Sequence, residues 1–196
     1  MAANGGRLAL WEVAYGKLLT EAELRAGAAE RLAFVLGGRR VASAGSDGTI
    51  KLWEPDRPDA PPVTHTRGRP TTEICPSPDG KVLAAAVRGG SLLLIDAADG
   101  TERLRMRGQA GSPRSLAFSP DGRRLACGGT DGKIGIWDCL TGRRLLDLVG
   151  HRGEVLGLAF SPDGQRLASA SADGTVRLWL GEEPQSPAAP PGTSGH

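Results

Sequence analysis

Aromatic side chains are scarce in this 196-residue chain: four tryptophans, three phenylalanines and one tyrosine make up 4% of it. Any core must be filled mainly by aliphatic residues, within a hydrophobic content of 39%. Cysteine is sparse as well. Cys75, Cys127 and Cys139 form neither an even set nor a CxxC pair, which argues against a disulfide framework and a structural zinc site and points to reduced thiols in an intracellular protein. Charge of one sign is missing too. The 24 basic and 22 acidic residues leave a formal charge of +2, too little to draw the chain onto nucleic acid or anionic lipid. Long hydrophobic runs are absent: Val82 to Val87 is far too short to span a bilayer, and Met1-Ala-Ala-Asn-Gly-Gly-Arg has no apolar core of signal-peptide length. The expected location is the cytoplasm or nucleus.

Glycine and proline are abundant instead, at 29 and 14 residues, more than a fifth of the chain. That balance disfavours long helices and favours short strands joined by tight turns. The turns are periodic. Pro-Asp-Gly occurs at Pro78-Asp79-Gly80, Pro120-Asp121-Gly122 and Pro162-Asp163-Gly164, stepping by 42 residues. A second series, Asp47-Gly48, Asp131-Gly132 and Asp173-Gly174, follows the same ruler, with Gly89-Gly90 in the vacant slot. Trp11, Trp53, Trp137 and Trp179 are in phase with it, and Ile95 stands where another tryptophan is due.

Within one repeat the pattern reads as strands. Val155 to Phe160 is apolar-rich and ends at a Ser-Pro-Asp-Gly turn; Arg166 to Ser171 alternates in character; Asp173-Gly174 turns again, and Thr175 to Trp179 forms a third run. Arg144 to Val149 supplies a fourth run in the preceding repeat. Proline presets φ and glycine supplies the positive φ that such turns need. Each repeat is thus expected to be a four-stranded antiparallel meander, which must stack on copies of itself to bury both faces.

Gly150-His151, Leu158-Ala159-Phe160-Ser161-Pro162-Asp163-Gly164, Ser169-Ala170-Ser171-Ala172-Asp173-Gly174 and Val176-Arg177-Leu178-Trp179, with Trp137-Asp138 in the preceding repeat, resemble the signature of the WD-repeat β-propeller family. The resemblance covers roughly residues 7 to 180 and implies an all-β fold of about four and two-thirds blades. It divides the chain into a blade remnant of two strands, the third and fourth, with a connector at 1–30, repeats at 31–71, 72–113 (degenerate at Gly89 and Ile95), 114–149 and 150–180 (lacking its fourth strand), and a disordered Pro/Gly/Ser tail at 181–196.

His151, Ser171 and Asp173 could be read as a nucleophilic triad. The resemblance implies a structural role for them instead: His151, Ser171 (or Ser169, which points the same way), Asp173 and Trp179 would form a hydrogen-bonded network inside one blade. No Walker pattern surrounds the Gly-Lys pairs, no Gly-x-Gly spacing exists, and His65, His151 and His196 lie far apart. No catalytic residue, cofactor or metal is expected.

Arginine outnumbers lysine twenty to four, but Arg39 and Arg123 recur directly after the first turn of their repeats, and Arg103, Arg105 and Arg107 alternate as on one wet face of an outer strand. A solvated edge accounts for them, and no specific nucleic-acid or membrane partner is expected. Function then falls to surface loops. The loops from fourth to first strand and from second to third emerge on one side and carry Arg67, Arg69, Arg88, Gln109, Ser112, Arg114, Arg152 and Glu154. By resemblance this side binds peptides or other domains, and its arginines suit an acidic or phosphorylated segment.

Trp11 in phase with Trp53 places the start of the chain inside a second strand, with a third and fourth to follow; the last repeat lacks a fourth strand. Lys17-Leu18-Leu19-Thr20 could complete that last repeat, leaving Arg7 to Glu12 unmatched. Three arrangements fit: a fragment of a longer propeller of about seven blades, an open arc completed by a second copy or another chain, or a closed ring of four blades. The expected function is a non-catalytic protein-interaction scaffold; the alternatives are a regulatory or targeting domain of a multidomain enzyme, or a propeller completed by self-association.

Overall fold

The turns set the topology, because each reverses the chain between two short apolar-rich runs that then pair as neighbours. In the computed structural model, which describes residues 2–4, 7–23, 29–57, 59–66, 68–108 and 111–181, eighteen strands form five antiparallel sheets. The first contains β1 (Ala2–Asn4), β2 (Arg7–Glu12) and β3 (Lys17–Glu23). The second contains β4 (Ala29–Val35), β5 (Arg40–Gly45), β6 (Thr49–Trp53) and β7 (Val63–Thr66). The third runs through β8 (Thr71–Pro76), β9 (Val82–Val87), β10 (Ser91–Asp96) and β11 (Glu102–Arg107). The fourth comprises β12 (Pro113–Phe118), β13 (Arg124–Gly129), β14 (Lys133–Asp138) and β15 (Arg144–Val149), and the fifth β16 (Val155–Phe160), β17 (Arg166–Ser171) and β18 (Val176–Leu180). This is an open β-propeller.

Two expectations about the ends need correction. The first sheet has three strands rather than two, since β1 pairs with β2 through Ala3 and Leu8. Lys17 to Thr20 belong to β3, which pairs with β2 through Leu10 and Thr20 and is therefore not the missing strand of the fifth sheet. The N–H of Gly181 still bonds to Gln165 O at 2.8 Å, and residues 182–196, expected as a tail, lie outside the described residues.

The Ser-Pro-Asp-Gly turns are held by one repeated set of bonds. The Ser77 hydroxyl donates to Asp79 Oδ1 at 2.7 Å and accepts the Val82 N–H at 3.0 Å, while Asp79 Oδ1 also accepts the Lys81 N–H at 3.0 Å. Ser119 with Asp121 and Ser161 with Asp163 repeat it. The serine hydroxyl, followed by the backbone N–H, holds all three carboxyls below the usual carboxylate range. In the second sheet Val35-Leu36-Gly37-Gly38 stands at this place, with a 3₁₀ turn over Leu36–Gly38, and the Leu36 N–H reaches across to Gly80 O at 2.9 Å.

The second to fifth sheets stack face to face and the core lies in their seams. Ile50 and Leu52 meet Ile74, Leu83 and Ile95 between the second and third sheets. Leu92 and Leu94 meet Leu116, Leu125 and Trp137 between the third and fourth, and Ile134 and Ile136 meet Val155, Leu167 and Trp179 between the fourth and fifth. The same two columns, carried on by one repeat, reach Val176 and Leu178. Ile134 and Ile136 are 0% and 6% exposed, whereas Val176 and Leu178 are 76% and 59% exposed. The outer face of the fifth sheet is uncovered among the described residues.

A tryptophan buried in a seam must satisfy its indole N–H. Trp53 donates to Ser43 Oγ and Trp179 to Ser169 Oγ, each at 2.8 Å across ten residues. Ile95 has Ala85 at that spacing, both apolar. Trp137 has Cys127, and its indole N–H is buried with no partner among the described residues. Leaving such a donor unmade costs about 1–3 kcal/mol. Cys127→Ser is therefore expected to raise stability by about 1 kcal/mol. Thermal unfolding measures this, and a lower midpoint for the variant would contradict the account of Trp137.

Candidate functional site

In the fifth sheet the hydroxyl of Ser169, rather than Ser171, receives the indole. Ser169 lies opposite Arg177 in the β17–β18 ladder, so Trp179, two residues on, reaches it diagonally, while Ser171 sits at the turn. The Ser171 hydroxyl donates instead to Gly153 O at 3.0 Å. Ser169 Oγ also lies 2.7 Å from His151 Nε2, and His151 Nδ1 lies 3.0 Å from Asp173 Oδ2. An indole N–H can only donate. Ser169 Oγ thus accepts from Trp179, and the Asp173 carboxylate, which can only accept, takes the Nδ1–H of His151; on that tautomer the Ser169 hydroxyl donates to Nε2. Thr175, which the sequence motif did not single out, adds a hydroxyl 2.6 Å from Asp173 Oδ1.

The Asp173–His151–Ser169 order matches that of a hydrolytic triad, yet its nucleophile position is closed. Ser169 is 2% exposed and its oxygen is occupied by the Trp179 N–H. A carbonyl carbon has no approach to it. The chain of bonds does mechanical work: Asp173 also accepts the Arg152 N–H at 2.8 Å, tying the loop that enters β16 to the turn between β17 and β18.

That loop–turn contact recurs between sheets. A Cβ on Gly132, whose φ is +76°, would lie 2.6 Å from His151 O, so only glycine lets the β13–β14 turn seat the β15–β16 loop. Within the third sheet the Arg88 N–H bonds to Pro70 O at 2.9 Å, tying the β9–β10 turn to the loop that enters β8. These contacts hold Arg69, Arg88, Arg114 and Arg152 on loops and strand ends, all exposed. Arg114 is taken up by Glu154 at 3.1 Å. Arg88 and Arg152 have no ion-pair partner among the described residues. Arg67 and Gln109 lie outside the described residues.

The Thr175 hydroxyl, the Arg152 N–H and His151 hold the Asp173 carboxyl far below the usual carboxylate range. Its charged form is favoured by folding, so its contribution is present above the unfolded carboxylate range and is lost as pH falls. Asp173→Asn should lower stability near neutral pH, and the gap between variant and parent should narrow on acidification. Unfolding curves from about pH 7 to about pH 3 test this; a gap that widens in acid would be incompatible with the assignment.

A comparison with protein-family models finds the WD domain, G-beta repeat, at residues 30–54, 100–138 and 142–179, just over half of the chain. The unmatched stretch between the first two contains Gly89 and Ile95, the two departures in the third sheet. No curated protein matches the chain. WD-repeat domains generally act as protein-interaction scaffolds without catalysis. With these matches laid over the stacked sheets, the chain belongs to the WD-repeat family.

Proposed function

We propose that this chain is a non-catalytic scaffold that holds acidic or phosphorylated segments of partner proteins against the loop side bearing Arg69, Arg88 and Arg152. One observation carries the reading: Arg88 and Arg152 are exposed on loops anchored by backbone hydrogen bonds, without acidic partners among the described residues. Guanidinium groups so placed offer forked donors to carboxylate or phosphate. The closed Ser169 supports a non-catalytic role. Three free cysteines favour a reducing compartment, cytoplasm or nucleus. Affinity capture with the parent and with Arg88→Glu/Arg152→Glu should show acidic partners lost from the variant. An unchanged partner set would overturn the reading.

A second reading, self-association, is favoured by the uncovered face of β18. Val176 and Leu178 occupy columns that elsewhere in the molecule are covered by a following sheet, and exposed apolar faces promote assembly. Light scattering should show mass rising with concentration for the parent, and Leu178→Asp should suppress the rise. A parent that stays monomeric throughout the range refutes self-association.

A further inference from the structure

The third sheet departs from its neighbours where they place a negative charge. In the second, fourth and fifth sheets the turn aspartates Asp47, Asp131 and Asp173 accept the N–H two residues on, from Thr49 (2.9 Å), Lys133 (3.3 Å) and Thr175 (2.9 Å). In the third sheet the turn residue is Gly89, which offers Ser91 no carboxylate. Arg69 approaches instead. Its Nη1 lies 2.6 Å from where a Cβ on Gly89 would stand, so a guanidinium occupies the space of the missing side chain.

A cavity of about 390 Å³ opens at this point, with Arg69, Ser91, Arg105 and Arg107 around an apolar wall of Val87 and Leu93. The register explains the gathering. Ser91 is opposite Arg107, and Leu93 opposite Arg105, across β10 and β11, so alternate residues of both strands face one side. Glu102 binds Arg105 at 3.0 Å and is 3.9 Å from His65 Nε2. Arg69 and Arg107 have no carboxylate in ion-pair contact among the described residues. The cavity is therefore a positive pocket with a hydroxyl in its lining.

We infer that this pocket binds the phosphate of a phosphorylated serine or threonine segment of a partner protein. A phosphate carries a charge near −2 and three strong acceptor oxygens, enough to engage Arg69, Arg107 and the Ser91 hydroxyl together. A single carboxylate would leave part of that positive charge unmatched. Nucleic acid and anionic membrane fit poorly, because their binding grows with many contacts and the chain carries a net charge of only +2. The inference rests on the partner reading proposed above and sharpens it to one pocket and one chemical group.

The full chain is titrated with a short capped alanine peptide carrying one phosphoserine, with the same peptide unphosphorylated, with inorganic phosphate, and with phosphatidylserine vesicles. The phosphopeptide is expected to bind in preference to all three. Arg69→Ala or Arg107→Ala should each weaken it at least about tenfold, at unchanged thermal midpoint, and Arg107→Lys should fall between. Phosphopeptide binding that is indifferent to the pocket variants but lost in Arg88→Glu/Arg152→Glu would overturn the pocket and leave the wider face standing, which separates the two failures. Should Arg69→Ala unfold, Arg107→Ala decides. Absent phosphopeptide binding, binding indifferent to the pocket variants, or equal or tighter binding of free phosphate or vesicles each overturns the inference.

Discussion

Burial of two apolar faces per sheet is the constraint on which this molecule depends. A four-stranded twisted ribbon of about forty residues cannot exclude water from both sides by itself, and an isolated repeat would be marginal. Stacking resolves this, and fixes the period: Ile50, Leu92 and Ile134 do one job at successive positions, as do Leu52, Leu94 and Ile136. Turn chemistry then has to deliver each strand in register, which explains why the serine and aspartate of the Ser-Pro-Asp-Gly turns recur with the same bonds. The polar network of the fifth sheet is subordinate to that requirement. It pins loops to turns so that the next first strand enters at the seam.

Much of this was legible in the sequence because the turns repeat with the tryptophans. Strand positions in the repeats from Arg40 onward follow directly from them. What escaped has physical reasons. Ala2-Ala3-Asn4 has neither alternation nor β-branched residues, so β1 is visible only through its pairing with β2. Ser169 and Ser171 share a strand face, and alternation cannot separate them; the ladder's diagonal does. A column written out as Ser43, Ala85, Cys127 and Ser169, ten residues before Trp53, Ile95, Trp137 and Trp179, would have exposed the choice. On the candidate binding side the sequence placed arginines by loop, but the pairing between Arg114 and Glu154, about a repeat apart, arises only from the stacking of the fourth and fifth sheets.

Conservation of geometry and conservation of chemistry part company in the third sheet. It stacks on both neighbours as the fourth sheet does, with Ile95 and Ala85 replacing a tryptophan and its hydroxyl by two apolar groups, a change that leaves no orphaned donor. In the fourth sheet only one member of that pair differs, and the indole of Trp137 is stranded. Degeneracy in sequence is therefore not degeneracy in packing: the sheet that departs furthest from the repeat pattern is the better satisfied of the two.

The uncovered side of the fifth sheet also sets how the array comes apart. In a one-dimensional stack, each member's resistance to opening depends on how many neighbours grip it. Among the described residues the third and fourth sheets are clasped on both sides and the fifth on one. At this margin fluctuations will therefore begin at β18 and travel inward, with backbone amides of the middle sheets exchanging only when a seam has already separated. Whatever covers Val176 and Leu178 would lengthen the lifetime of the whole array from its margin.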